Sequence, residues 1–138
     1  MPLISWRDKL SVGIDEIDED HKILIDHLNN VYDAVQKGQT RKQVAETLEG
    51  LIEYTRDHFA REEAVMRAVE YPDYKKHKKA HEELTKQVKQ VAQDFVTKDD
   101  YEIGQEVFDF LQRWLTDHII TMDRPIAKYT KERKVWNV

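Results

Sequence analysis

Hydrophobic residues recur along most of the chain at the three- to four-residue spacing that is typical of amphipathic helices. This spacing holds over four long segments, each with charged residues on its opposite face. The pattern therefore predicts four helices of ordinary length. Their approximate bounds are residues 18–37, 40–69, 73–96 and 101–120.

Turn-forming residues separate these segments. Gly38 ends the first segment, residues 70–73 follow the second, and residues 97–100 follow the third, while Pro125 punctuates the fourth. Four amphipathic helices joined by short connections pack most simply as an up-down-up-down antiparallel four-helix bundle. The predicted fold class is therefore all-α.

The segment before the first helix, about residues 1–17, is too apolar to be a free tail. It contains Trp6, Val12 and Ile14, so we expect it to lie across the bundle as an N-terminal arm. A chain of 138 residues has the length of one ordinary domain. We predict a single domain over residues 1–138.

Composition removes several classes of function. With 27 acidic and 22 basic residues the net charge is −5, and no basic stripe suited to nucleic acid is present. The absence of cysteine excludes disulfides, zinc–thiolate sites and iron–sulfur clusters. The sequence contains neither a signal peptide nor a membrane-spanning stretch. We expect a cytoplasmic protein without nucleic-acid or membrane partners, whose metal, if it binds one, is held by nitrogen and oxygen.

Histidines stand on the predicted apolar faces. Of six histidines, only His27 falls on a polar face. A single histidine on an apolar face is usually an ordinary core residue with a satisfied hydrogen bond. Five imidazoles in one core, however, need more polar partners than this core provides. The five are His21, His58, His77, His81 and His118.

A carboxylate shares the second apolar stripe. Glu62 follows His58 by four residues, and His81 follows His77 by four, so each pair projects from one helix face. Burial of an ionised carboxylate without a counter-charge is costly. An ion pair with lysine or arginine is the alternative, but no basic residue occupies any of the four stripes. A metal cation is the natural counter-charge, and the adjacent Glu63 is expected to face outward.

Asp123 is less easily assigned. It follows His118 by five residues, which in a regular helix is roughly 140° from the same face, so spacing alone indicates a surface carboxylate. Pro125 disfavours α geometry at Arg124. We therefore expect the helix to end here or to form a wide turn, and a wide turn would swing Asp123 inward.

Other histidine chemistries fit less well. Lys78 stands where a zincin His-Glu-x-x-His pair would carry its catalytic glutamate. No Glu-x-x-His pair of the ferritin-like di-iron type is present. The two serines, Ser5 and Ser11, lie in the predicted arm and outside any Gly-x-Ser-x-Gly elbow.

Four ordered motifs surround the histidines and span nearly the whole chain. They comprise Trp6, residues 12–14 with Ile17, Asp18 and His21, residues 58–63 with Met66, residues 77–81, and residues 114–119 leading to Asp123. In these motifs the sequence resembles the hemerythrin family, and within it the bacterial single-domain form called bacteriohemerythrin.

This resemblance implies two non-haem iron ions with an oxo or hydroxo bridge. Two six-coordinate irons offer about twelve positions, of which the imidazoles fill five, two bridging carboxylates four and the oxygen bridge two. One position stays open, on the iron that has fewer histidines. By resemblance, His77, His81 and His118 hold one iron, His21 and His58 hold the other, and Glu62 and Asp123 bridge them.

The function implied is reversible binding of dioxygen for storage, delivery or sensing, without a catalytic residue, and with azide and nitric oxide as exogenous ligands. A site rich in neutral imidazole also favours ferrous and ferric iron over high-valent states. Two alternatives stay open: a di-iron enzyme acting on nitric oxide, peroxide or dioxygen, and a regulatory bundle whose fold is set by a metal such as zinc.

The resemblance places Phe59, Trp114, Leu115 and Ile119 around the bound oxygen.

Overall fold

The computed structural model describes residues 3–132, and the regular structure of this part of the chain is helical. A short 3-10 turn precedes four long helices, which follow one another through short connections. A π-helical turn then continues the fourth helix directly into a fifth. The elements are α1 (Asp15–Gln36), α2 (Arg41–Ala68), α3 (Tyr74–Thr97), α4 (Gln105–His118), the π turn (Ile119–Asp123) and α5 (Arg124–Glu132). The predicted all-α four-helix bundle is confirmed.

The predicted bounds of the four long helices lie within four residues of the observed ones, and the largest difference is at the start of α4. Because α1 begins at Asp15, the arm is shorter than expected. α4 ends at His118, near the predicted end, but the helical path continues through the π turn into α5, which was not predicted. Pro125 stands in the first turn of α5, where proline is tolerated. Residues 1–2 and 133–138 of the predicted domain lie outside the described residues.

The apolar stripes of the long helices meet in one core. Val31 of α1, Leu48 of α2 and Leu84 of α3 are each at most 2% exposed. Phe108 of α4 is 1% exposed, and its ring meets Tyr32 edge-on at 5.0 Å. Burial of each such side chain stabilises the fold by roughly 1.5–3 kcal/mol. Among the described residues, no helix is long and apolar enough to cross a membrane.

The connection between α1 and α2 is defined by its caps. Gly38 takes a positive φ of 65°, the left-handed conformation in which glycine commonly ends a helix. Thr40 and Gln43 form a reciprocal capping box at the start of α2. Arg41 then donates to the carbonyl oxygens of Lys98 (3.0 Å) and Tyr101 (2.9 Å). This end of the bundle is therefore joined across its two loops.

The N-terminal arm is fixed to α1 by hydrogen bonds. The backbone N–H of Ile4 donates to Asn29 Oδ1 (2.9 Å), and Asn29 Nδ2 donates to the Ile4 carbonyl (2.8 Å). Further along the arm, the hydroxyl of Ser11 and the N–H of Val12 both donate to the carboxylate of Asp18. Asp18 lies one turn before His21, so the arm packs beside the half of the bundle that carries the histidines.

Candidate metal centre

The antiparallel order of the helices concentrates the polar residues at one end of the core. The first halves of α1 and α3 and the last halves of α2 and α4 lie at this end. There the structure brings together all seven side chains predicted as ligands, none more than 4% exposed. They are His21, His58, Glu62, His77, His81, His118 and Asp123.

The π turn brings Asp123 into the core. Because a π-helix closes its hydrogen bond over five residues, a five-residue spacing completes about one turn there. The Nε2 atom of His118 consequently lies 3.1 Å from Asp123 Oδ1. The expectation that a wide turn would swing Asp123 inward is confirmed, and the surface position that regular spacing indicated is wrong.

The imidazoles form two groups that share both carboxylates. Within each group, one ligand atom per residue lies within 4.8 Å of all the others. We call them the three-histidine group and the two-histidine group. The first contains His77, His81 and His118, and the second contains His21 and His58.

Glu62 divides its two oxygens between these groups. Its Oε1 lies 3.1, 3.8 and 3.9 Å from the Nε2 atoms of the three-histidine group. Its Oε2 lies 3.3 and 3.9 Å from those of the two-histidine group. Asp123 repeats this division: its Oδ1 is 3.4 Å from His77, and its Oδ2 is 2.8 Å from His21. Each carboxylate therefore faces both groups, as a ligand that bridges two cations would.

Several buried atoms in the centre have no hydrogen-bond partner among the described residues. His21 Nε2 and Asp123 Oδ2 lie 2.8 Å apart, but the angle at which they meet does not satisfy the geometry of a hydrogen bond. Such atoms are rare in folded proteins. Cations placed between the nitrogens and oxygens would satisfy these lone pairs, and this donor set suits iron. The atoms are Nε2 of His21, His58 and His77, Nδ1 of His21 and His118, Oε1 of Glu62, and both carboxylate oxygens of Asp123.

Two further carboxylates orient the histidines from outside. His58 Nδ1 lies 2.9 Å from Asp20 Oδ2, and His81 Nδ1 lies 2.9 Å from Glu63 Oε2. A carboxylate that accepts from Nδ1–H leaves the lone pair on Nε2, which then points into the centre. The expectation that Glu63 faces outward is therefore wrong, since its side chain is only 16% exposed.

Sequence reasoning did not identify Asp20 and Glu63 as part of the site. The available signal was that each stands next to a ligand in the chain, Asp20 before His21 and Glu63 after Glu62. A neighbouring residue lies about 100° around the helix. Asp20 of α1 therefore faces α2, where it meets His58. Glu63 of α2 faces α3 in the same way, where it meets His81.

Asp20 is held by a small network. It accepts from the phenol of Tyr54 (2.6 Å) and from two nitrogens of Arg61 (2.9 and 3.0 Å), in addition to His58. Burial alone would raise the pKa of Asp20, but these donors outweigh it and hold that pKa well below the usual range. Asp20 is consequently an ionised partner for His58 throughout the neutral pH range.

Protons and metal ions compete for the imidazole nitrogens of the centre, because the nearby carboxylates raise the pKa values of two of these histidines. Burial lowers the pKa of His58, but the charge of Glu62 and the hydrogen bond to Asp20 outweigh it and raise that pKa to about 10. Burial likewise lowers the pKa of His118, while the charge of Asp123 raises it to about 10. Without metal these imidazoles hold protons at neutral pH, and a cation must displace them.

Two of the four residues expected around bound oxygen stack on the three-histidine group, and the other two are buried in the core. Phe59 stacks on His81 with ring centroids 3.7 Å apart, and Trp114 stacks on His118 at 4.9 Å. Leu115 is 4% exposed and Ile119 is fully buried. Trp114 and Leu115 also line a cavity of about 20 Å³ among apolar side chains.

Comparison with known proteins decides the family. The family model of the hemerythrin HHE cation binding domain matches residues 12–129. The chain belongs to the hemerythrin family. The bacteriohemerythrin of Stenotrophomonas maltophilia is 37% identical over 131 residues, which cover 95% of this chain and 84% of that protein. That of Pseudomonas aeruginosa is 37% identical over 119 residues, covering 86% and 76%.

Solved hemerythrin structures share the fold. The wild-type hemerythrin structure matches with a TM-score of 0.84 and 27% identity, over 91% of this chain and 96% of that one. A hemerythrin mutant matches with a TM-score of 0.86 and 26% identity, over 94% and 98%. The resemblance carried by the histidine motifs is thereby confirmed, and the family's cation-binding character agrees with the buried cluster.

The first prediction concerns the outer carboxylates. Asp20→Ala and Glu63→Ala should each weaken Fe²⁺ binding by about 10- to 100-fold, because His58 or His81 loses the partner that fixes its tautomer. Competition with a coloured chelator measures the affinity. Asp26→Ala, which removes an exposed acid of α1, is the control. Equal affinities in all three variants would contradict the orienting role.

The second prediction concerns pH. The raised pKa values of His58 and His118 stabilise the metal-free fold fully below their usual value of 6.5, and this contribution is lost as the pH rises towards about 10. Bound iron requires neutral imidazoles, so its stabilisation is lost instead as the pH falls. Thermal unfolding should therefore give a melting temperature that falls with rising pH without iron and falls with acidification when iron is bound. Parallel pH profiles would contradict this coupling.

Proposed function

We propose that this protein holds two iron ions and binds dioxygen reversibly. The observation that carries the proposal is the division of oxygens in the centre. Glu62 and Asp123 each direct one oxygen at the three-histidine group and the other at the two-histidine group. A site for a single cation does not need two carboxylates whose oxygens face different groups of histidines. Two bridged cations need such carboxylates, because each oxygen would bind a different cation.

The inequality of the two groups supports a ligand-binding role. The cation held by His21 and His58 has one protein nitrogen fewer than its neighbour, so one of its positions is free for an external ligand. Two ferrous ions would supply that open position together with the two electrons that dioxygen binding draws on. The bridging carboxylates hold the two ions beside each other.

The chain's own residues suit reversible binding. Asp20 and Glu63 pair with Nδ1 of their histidines, so that Nε2 is the nitrogen directed inward and offered to a cation. Phe59 and Trp114 cover two imidazoles of the three-histidine group with their rings. These apolar surfaces exclude water and protons, whose access would leave the irons oxidised and unable to bind dioxygen again.

The apolar cavity lined by Trp114 and Leu115 suits a small neutral ligand. Its volume is about 20 Å³, which is room for about one very small molecule. Reduction of nitric oxide or peroxide remains the alternative function, and consumption of the ligand distinguishes it from reversible binding.

The third prediction is stoichiometric and spectroscopic. Purified protein should contain close to two irons per chain, and its ultraviolet-visible spectrum should change on exposure of the reduced form to air and return under vacuum. Glu62→Ala should lose one or both irons, because the remaining ligands neither neutralise nor span the pair. His27→Ala is the control and should keep both, since His27 lies off the centre, stacked on Tyr54.

Three results would contradict this assignment. A well-occupied preparation that holds one metal per chain, or zinc after growth in ample iron, excludes a di-iron centre. A spectrum that does not return under vacuum while dioxygen is consumed indicates an enzyme. Loss of iron from His27→Ala would mean that the ligand set is wrong.

The fourth prediction concerns Leu115. Leu115→Ala enlarges the apolar cavity beside the centre and lowers the free energy of unfolding by roughly 2–5 kcal/mol. The variant should retain both irons, yet autoxidise faster and take up azide faster in its ferric form. Decay of the oxygenated spectrum and stopped-flow azide binding measure the two rates. Leu48→Ala, a fully buried substitution in the apolar core, controls for general destabilisation. Unchanged rates in an iron-replete Leu115→Ala protein would contradict a gating role.

A further inference from the structure

A cleft of about 360 Å³ lies between α1 and α2 beside the metal centre. Its inner end is formed by His58 and Glu62, both almost fully buried. Oε1 of Glu62 has no hydrogen-bond partner among the described residues. The walls include the apolar side chains of Ile17 and Val65. The cleft therefore connects the surface with two of the proposed iron ligands.

The charges along this cleft favour a cation. Glu16 is exposed at the start of α1, and Glu62 stands at the inner end. Asp20 and Arg61 also line the cleft, but they neutralise each other through two hydrogen bonds of 2.9 and 3.0 Å. The carboxylates of Glu16, Asp20 and Glu62 outnumber the cationic groups of the lining, Arg61 and a protonated His58. The cleft therefore keeps a net negative charge, and a low-dielectric passage concentrates its field.

Asp20 is not available to a passing metal ion. Its two oxygens accept from Tyr54, His58 and both Arg61 nitrogens, so its lone pairs are occupied and it stays directed at the ring of His58. A cation that meets Glu16 at the surface would next reach Glu62 from the side of its Oε2, the oxygen that lies 3.3 Å from His58 Nε2.

A second opening near the centre has the opposite character. A groove of about 580 Å³ runs between α2 and α3 and reaches His81. Its lining carries three basic residues, Arg56, Lys86 and Lys89, against the two carboxylates Glu63 and Glu82. The net charge of this lining is positive, which disfavours a divalent cation. The apolar cavity beside Leu115, at about 20 Å³, is unsuited to a hydrated ion.

We propose that the α1–α2 cleft is the route by which Fe²⁺ enters and leaves the centre, with Glu16 as its first contact and Glu62 as the first buried ligand it meets. This inference rests on the iron site proposed above. It assigns a role in iron uptake to Glu16, Ala64 and Val65, which line the cleft but are not among the proposed ligands.

Two alanines on α2 provide a matched test of the route. Ala64 lines the cleft and Ala60, one turn earlier, lines the α2–α3 groove, and both are exposed. Metal-free protein is mixed anaerobically with Fe²⁺, and unbound iron is trapped with ferrozine at successive times. Ala64→Phe should load and release iron at least about fivefold more slowly than the parent protein, because the ring obstructs the passage. Ala60→Phe should keep the parent rates, and all three proteins should reach the same final iron content.

A charge pair tests the cation preference. Glu16 lines the cleft and Glu82 lines the groove, and both are exposed. Glu16→Gln should slow Fe²⁺ uptake by about two- to threefold at low salt, and the difference should disappear at about 0.3 M salt, where screening is strong. Glu82→Gln should have the parent rate at both salt concentrations.

The outcomes separate this inference from the proposed function. Parent rates in both Ala64→Phe and Glu16→Gln overturn the route, as does equal slowing by Ala60→Phe. If Ala64→Phe does not fold, as judged by circular dichroism, the result with Glu16→Gln decides. A parent protein that takes up no iron contradicts the di-iron centre instead.

Discussion

Five imidazoles and two carboxylates meet in one dry layer of a helical bundle, and the rest of the structure accommodates them. Buried carboxylates need cations, while imidazole lone pairs that face one another repel. His81 Nε2 and His118 Nε2, for example, lie 3.3 Å apart, so one of them must carry a proton and donate a hydrogen bond to the other. Protons relieve this conflict in part, which is why the pKa values of His58 and His118 are raised to about 10. Two metal ions relieve it fully, since they satisfy the nitrogens and oxygens at the same time.

The architecture follows from this requirement. A ligand must come from every long helix, so the residues can meet only at one end of an antiparallel bundle, and the other end is left to close-packed apolar side chains such as Val31 and Leu48. The loops at the apolar end are joined by Arg41. The histidine end is instead held by polar contacts, including the arm bonded to Asp18 and the carboxylates of Asp20 and Glu63. The protein's own polar contacts thus stabilise the end of the molecule at which metal ions would bind.

Periodicity alone was sufficient to predict the bundle and the inward position of five histidines and Glu62, because these residues obey regular helical spacing. Asp123 does not, and its position depends on a π turn that the sequence signals only through Pro125. Asp20 and Glu63 escaped prediction for a different reason. Their role arises between helices, where each meets a ring carried by a neighbour, and spacing within one helix contains no information about such contacts.

The three openings around the centre differ in chemistry because they lie against different residues. The α1–α2 cleft exposes carboxylates, the α2–α3 groove exposes Arg56 and two lysines, and the cavity beside Leu115 is apolar. A cation, an anion and a neutral diatomic molecule would therefore be favoured at different places, although all three lead towards the same buried layer. A four-helix bundle offers this separation naturally, since each groove is formed by a different pair of helices and its charge can be set independently. In the proposed function, metal ions and dioxygen would approach the centre from different sides, the α1–α2 cleft and the apolar cavity beside Leu115.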